Sequence, residues 1–200
     1  MSLPLVVAIT GASGVIYGVE LLRALQTLGQ ETHLILSEAA GLNLAIETEF
    51  DLDYVKGLAH VVYKNKDVGA TVASGSFRTR GMIVAPCSVK TLSAIANSYD
   101  SNLIVRAADV TLKERRPLVL MVRETPLHKG HLDLMMRAAD YGAVILPPMP
   151  AFYHKPATIM DIIHQSIGKA LDQVGVEHSL FKRWAGHGRE PGKEPLRAVE

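Results

Sequence analysis

Leu5-Val6-Val7-Ala8-Ile9-Thr10-Gly11-Ala12-Ser13-Gly14 passes from a short apolar run into a turn of small and hydroxylic residues, and a helical pattern over residues 15–28 follows. A β-branched run ending in such an elbow reads as a strand that hands the chain to a helix N-terminus. Glycine lets backbone approach an anion, and the free amides and positive dipole end of the following helix face whatever sits there. The elbow therefore predicts a nucleotide or flavin site and leaves the ligand open, against the plainer reading of a tight turn with no ligand. Gly11, Gly14 and Gly18 match neither GxGxxG nor a P-loop, since no Gly-Lys-Ser/Thr follows. Short-chain dehydrogenases begin with a similar elbow but need a tyrosine with a lysine four residues on. None of Tyr17, Tyr54, Tyr63, Tyr99, Tyr141 or Tyr153 has one.

Outward from the elbow, strand-like runs at residues 5–9, 32–36, 82–85, 118–122 and 143–146 alternate with helical patterns. That alternation predicts an α/β fold: a parallel sheet with helices on both faces, three layers deep. Right-handed crossovers then put ligands beyond the carboxyl ends of the strands. Residues 63–80, rich in Gly, Ser and Thr, read as a loop with one short helix.

The chain has 200 residues, 48% of them hydrophobic, enough for one domain with a substantial core. The reading places a single domain over residues 1–184 and a frayed tail over 185–200. Basic and acidic residues nearly cancel, 21 against 20, with no long one-sign block, so no nucleic-acid footprint is present. The start has no basic n-region, and the uncharged stretch 141–154 holds three prolines and is too short to span a bilayer. A single cysteine, Cys87, excludes an intrachain disulfide framework and fits a reducing cytoplasm.

The strand exits carry the polar chemistry. Ser37 follows the second strand, and Pro86-Cys87-Ser88-Val89-Lys90-Thr91 forms a second small-polar turn into a helix, a further anion cradle in which Ser88 alone is also an ordinary N-cap. Cys87 reads as a buried small residue, with no histidine near in sequence to activate it. Arg106, Asp109 and Lys113 share one helical face, ordinarily a solvated one, and Arg115 and Arg116 read as cations at the same helix's C-terminal end. Arg123 and Glu124 directly follow a buried-looking strand: either a structural ion pair or an anion-binding cation beside a proton donor or acceptor. Residues 147–156, with four prolines, read as a stiff pocket wall in which Met149 and Phe152 pack an apolar group and Tyr153 donates to a phosphate. Lys169, on the last helix, is a solvated residue by default. His128 and His131 lack a third ligand, so no metal is expected.

Taken together, the elbow, Pro86-Cys87-Ser88-Val89-Lys90-Thr91-Leu92, Arg106-Ala107-Ala108-Asp109, Leu112-Lys113-Glu114-Arg115-Arg116-Pro117 and Val122-Arg123-Glu124-Thr125-Pro126 closely resemble the flavin prenyltransferase (UbiX-like) family, older name 3-polyprenyl-4-hydroxybenzoate or aromatic acid decarboxylase. The likeness runs from the first strand to about Trp184. It implies a Rossmann-like (flavodoxin-like) flavoprotein that joins the dimethylallyl group of dimethylallyl monophosphate to N5 and C6 of reduced FMN, without a metal. The prenylated FMN serves a partner decarboxylase of the ubiquinone or aromatic-acid pathway.

By position, the resemblance implies FMN contacts at Gly11, Ala12, Ser13, Ser37, Ser88, Val89, Lys90, Thr91 and Arg123. It places the prenyl phosphate on Tyr153 and Lys169, with Arg106, Lys113, Arg123 and Glu124 around it, some supplied by a neighbouring subunit. Ser13, Glu47 and Glu124 match the family's proton-handling residues; Glu49 is the alternative to Glu47 if the register shifts, although Glu47-Thr48 fits the pattern better. The family walls its prenyl pocket with tryptophans, and only Trp184 exists here, so a second wall must be another residue. Such cations stabilise a departing phosphate, and apolar walls keep water from an allylic cation. The resemblance also implies a homo-oligomer, commonly a dodecamer. A flavin-dependent cysteine decarboxylase of the same fold and a non-catalytic FMN carrier are the competing readings, and direct decarboxylation of an aromatic acid is disfavoured.

Overall fold

The computed structural model describes residues 3–184 and Gly186. The expected tail over 185–200 otherwise lies outside the described residues. Six parallel strands form one sheet: β1 (Leu5–Ile9), β2 (Thr32–Leu36), β3 (Val61–Lys64), β4 (Gly81–Cys87), β5 (Leu118–Val122) and β6 (Val144–Ile145), in the order β3-β2-β1-β4-β5-β6. Among the described residues seven α-helices accompany them: α1 (Ile16–Thr27), α2 (Glu38–Glu47), α3 (Leu52–Gly57), α4 (Val89–Ala96), α5 (Leu103–Lys113), α6 (Lys129–Asp140) and α7 (Ile159–Gln173).

Side chains alternate across the pleat, so each central strand feeds two cores. Leu5, Val7 and Ile9 of β1 join Leu34, Ile83 and Met121 beneath α1 and α7, where Val19, Leu22, Leu25, Ile167 and Leu171 close the layer. Val6 and Ala8 point the other way and join Met82, Val84, Leu120 and Val122 under α4 and α5, with Leu92, Ile95, Ile104 and Ala108. Each Val, Leu, Ile or Met among them contributes about 1.5–3 kcal/mol on burial, which explains why β1, β4 and β5 read as unbroken apolar runs.

The fold departs from expectation at the sheet edge. β3 falls partly in the stretch read as a loop; its residues alternate between half-buried and exposed, and a four-residue edge strand leaves little pattern to see. The short helix expected there is the 3-10 turn Thr71–Ala73. β4 continues through Pro86 to Cys87, with a register shift between Val84 and Cys87, a break in the ladder that suits a residue with no N–H.

Two glycines set the packing near the elbow. A Cβ on Gly18 would lie 2.4 Å from the Ala85 carbonyl oxygen, so α1 can rest on β4 only with glycine there. A Cβ on Gly11 would come 2.3 Å from that of Ala39, which brings the start of α2 against the elbow. Among the described residues no helix is long and apolar enough to cross a membrane.

Candidate functional site: a crevice at the strand ends and a cluster on the last helix

From β1 the sheet grows towards β2 and β3 on one side, and from β4 towards β5 and β6 on the other. The loops leaving β1 and β4 therefore diverge and open a crevice between them, the place where doubly wound sheets bind ligands. Hydrogen bonds lace its floor. The Thr10 hydroxyl donates to the Pro86 carbonyl at 2.7 Å and accepts from the Ser88 amide at 2.8 Å. Ser37 N donates to Ile9 O at 3.0 Å, and Arg123 N to Cys87 O at 3.1 Å. Four strand exits are thereby held at one rim, and they bring Gly11, Ala12, Ser13, Ser37, Ser88, Val89, Lys90, Thr91 and Arg123 together.

The local chemistry of these residues is specific. Ser37 caps α2 by accepting from Ala40 N, and Ser88 caps α4 by accepting from Thr91 N while donating to the Thr91 hydroxyl at 3.1 Å. Ser13 is exposed at the elbow. The expectation that the amides at the elbow stand free needs correction: Glu47 Oε2 accepts from Gly14 N at 2.7 Å and from Val15 N, the N-cap of α1, at 3.2 Å. A carboxylate at a helix N-terminus satisfies orphan donors and the dipole at once, so the elbow's anion is supplied by the chain itself. That contact puts Glu47, at the end of α2, beside Ser13, whereas Glu49 makes no hydrogen bond to the elbow among the described residues.

Arg123 and Glu124 do not form the structural ion pair that was one of their two readings. Glu124 is exposed and its Oε1 accepts from Thr125 N at 3.0 Å, whereas the half-buried Arg123 guanidinium has no partner among the described residues. Cys87 is buried as expected, and burial pushes its thiol up to about 12, so it stays protonated and inert.

Other candidates lie elsewhere. α5 runs back from the rim: its first residue donates to Asn65 O just past β3, and its far end leads into β5. Arg106, one turn in, is tied to Asp100 at 3.0 Å, to Asp109 at 3.1 Å and to Ala73 O at 3.2 Å. Lys113 stands about 10 Å farther down the helix and pairs with Glu114, whose carboxyl it holds below its ordinary range. A single chain therefore does not bring Lys113 to its own rim. Arg116 also departs from its expected role as a dipole cation, since its guanidinium donates to Phe77 O at 2.7 Å and Gly75 O at 2.8 Å and pins that loop.

α7 likewise runs from the rim to the opposite end, where Arg80 donates to Gly175 O at 2.8 Å. Lys169, ten residues into it, is about 15 Å along the axis from its start. Around it gathers a second group: Trp184 meets Tyr153 edge-on with ring centres 6.0 Å apart, and Asp172 accepts from Arg183 and lies 3.7 Å from the Lys169 ammonium. Tyr153, Lys169 and Trp184 are brought together on this face, apart from the crevice of their own chain, while Met149 and Phe152 are exposed rather than packed. Asp172 and Arg183 escaped the sequence reading; the one available signal was the spacing of Asp172 three residues after Lys169. His128 caps α6, and no cluster of metal-ligating side chains occurs among the described residues.

The flavoprotein family profile matches residues 2–170. Flavin prenyltransferase UbiX of Thauera aromatica is 58% identical over 183 residues, covering 92% of this chain and 94% of that protein. The crystal structure of AnUbiX (PadA1) in complex with FMN and dimethylallyl pyrophosphate superposes with a TM-score of 0.91 at 48% identity, covering 93% of this chain and 99% of that one. A dodecameric FMN-dependent UbiX-like decarboxylase from Escherichia coli O157:H7 gives 0.89 at 47% identity, covering 92% and 100%. With its Rossmann-like crevice, its strand-exit motifs and this degree of identity, the chain belongs to the flavoprotein family, among the UbiX flavin prenyltransferases.

Proposed function

We propose that the protein transfers the dimethylallyl group of dimethylallyl monophosphate to N5 and C6 of reduced FMN, making prenylated FMN for a partner decarboxylase. The observation that carries the reading is the rim itself: an unpaired guanidinium at Arg123, the first-turn amides and hydroxyls of residues 88–91, and the Ser13–Glu47 elbow converge on one crevice. That donor set fits a flavin with its phosphate. When bound, reduced FMN supplies the nucleophilic ring atoms.

The chain's residues do the rest. Arg123, Arg106, Lys113, Tyr153 and Lys169 stabilise the departing phosphate, and Trp184 helps exclude water from the allylic fragment. Glu47 uses Oε2 to hold the Gly14 and Val15 amides ahead of α1, which leaves Oε1 to take a proton at the elbow; Ser13 and Glu124 relay protons beside it. Because Lys169 lies well down α7 with Tyr153 and Trp184 paired near it, and Lys113 lies at the far end of α5, the complete site is taken to be assembled between copies of the chain. A homo-oligomer, a dodecamer in the E. coli relative, follows from that need. The reaction is assigned to the cytoplasm, where reduced flavin and the acceptor decarboxylase meet.

Anaerobic incubation with reduced FMN and dimethylallyl monophosphate should yield flavin heavier by one prenyl unit in the mass spectrum. Bound but unchanged flavin refutes the proposal. Release of CO2 from a cysteine substrate with no prenylated flavin identifies the cysteine decarboxylase reading instead.

A further inference from the structure

Asp172 sits at the centre of a cluster whose other members come from α7 itself and from the segment that follows it. Its carboxylate takes both prongs of the Arg183 guanidinium, Oδ1 from Nη2 at 2.6 Å and Oδ2 from Nη1 at 3.0 Å. Oδ1 also accepts from His178 Nε2 at 3.2 Å, and Oδ2 lies 3.7 Å from the ammonium of Lys169. His178 is itself fixed: its Nδ1 accepts from Leu180 N at 3.2 Å, so Nε2 carries the proton and also donates to Gly168 O at 2.8 Å. Its side chain is 1% exposed.

The segment from His178 to Trp184 therefore lies back along α7 as a strap. Gly168 makes the close approach possible, since a Cβ there would come 2.6 Å from the Phe181 ring and 2.7 Å from that of His178. The strap then carries Arg183 over the Phe181 ring at 5.3 Å and delivers Trp184 to Tyr153. A forked guanidinium on a carboxylate fixes direction as well as distance.

From this geometry we infer that Asp172 is the positioning residue for the prenyl-phosphate half of the site. Through Arg183 it sets Trp184 against Tyr153, and by sharing Oδ2 it keeps the Lys169 ammonium on the same face. Arg183, with both prongs engaged, is an anchor and not a phosphate ligand. Lys169, held by one longer contact and half exposed, is the cation free to turn to the anion. The α7 face is thus built before any neighbouring copy meets it, and the ligand it takes is an allylic monophosphate; this last point rests on the function proposed above.

The test uses the assembled protein and two variants, Asp172→Asn and Arg183→Met, the second leaving Asp172 with Lys169 and His178. Trp184 is the chain's single tryptophan, so its time-resolved fluorescence anisotropy reports the strap alone. Arg183→Met should at least double the amplitude of fast tryptophan motion and raise KM for dimethylallyl monophosphate about tenfold, the share of one charge-assisted pair, with kcat and FMN affinity little changed. Arg183→Lys should fall between. The double variant should be no worse than the worse single, as for residues that act through one contact. Unchanged anisotropy in Arg183→Met, or additive losses in the double variant, overturns the inference. If the wild type makes no prenylated flavin the function fails, while the anisotropy result still decides the role of Asp172.

Discussion

Glu47 gives one carboxylate oxygen to two backbone amides and leaves the other without a hydrogen-bond partner among the described residues, the oxygen to which the proposed function gives the proton. Removing its charge has two separable effects. Glu47→Gln should lower stability by about 1 kcal/mol, the worth of an anion at a helix N-terminus, and abolish product formation with FMN still bound. Urea unfolding and single-turnover mass spectrometry measure the two; Glu49→Gln, the control, should leave both near wild type, and full turnover in Glu47→Gln removes that residue from the proton path. Cys87 is the opposite case, a group with chemistry the fold suppresses. With its thiol raised to about 12 by burial, it should resist iodoacetamide at neutral pH until the protein unfolds. Rapid alkylation of the folded protein would contradict its burial. For Asp172 the Arg183 guanidinium is the main cause of a carboxyl held below its ordinary range, partly offset by desolvation. A depressed carboxyl contributes stability above its unfolded value and loses it only as pH falls through the lower folded one. Trp184 anisotropy should therefore hold steady from neutrality down to about pH 4 and collapse only below.

Among the elements, α1 and α2 show how much a glycine's meaning depends on what it faces. Gly18→Ala would drive a methyl into the Ala85 carbonyl and should cost several kcal/mol; Gly41, in the middle of α2, meets nothing within 4 Å. There Gly→Ala should stabilise by about 0.5–1 kcal/mol, read as a higher denaturation midpoint with an unchanged slope. The two glycines look alike in the sequence. The apolar strands β1 and β5 were legible residue for residue because burial on both faces leaves an unbroken signature. β3 was not, because an edge strand half in water carries a pattern too short to separate from a loop. The rim residues could be read for a similar reason, since strand exits are adjacent in sequence to the strands that place them. Asp172 and Arg183 could not: eleven residues and a reversal of the chain separate them, and neither sits at a strand end.

At the scale of the whole molecule, the candidate site residues divide into a rim at the strand ends and two groups away from it, and the proposed function joins them between copies of the chain. Mixed assemblies should show this directly. Copies carrying Arg123→Gln and copies carrying Lys113→Ala, each inactive alone, should recover a fraction of wild-type turnover when dissociated and reassembled together, because some sites then draw both intact residues from different chains. No recovery at any mixing ratio places both residues in the same copy's site. Dilution to the dissociated chain should likewise remove turnover before it removes the fold, since the two cores lie within one chain.

The Thr10 hydroxyl, bonded at once to the Pro86 carbonyl and the Ser88 amide, acts as a rivet in the floor that ties the roots of the two loops forming the crevice's lips. Lips riveted together cannot open one at a time. Stopped-flow release of FMN should therefore be a single exponential, with no partly detached species. Thr10→Val matches the volume but spans neither partner, and it should split that trace into two phases.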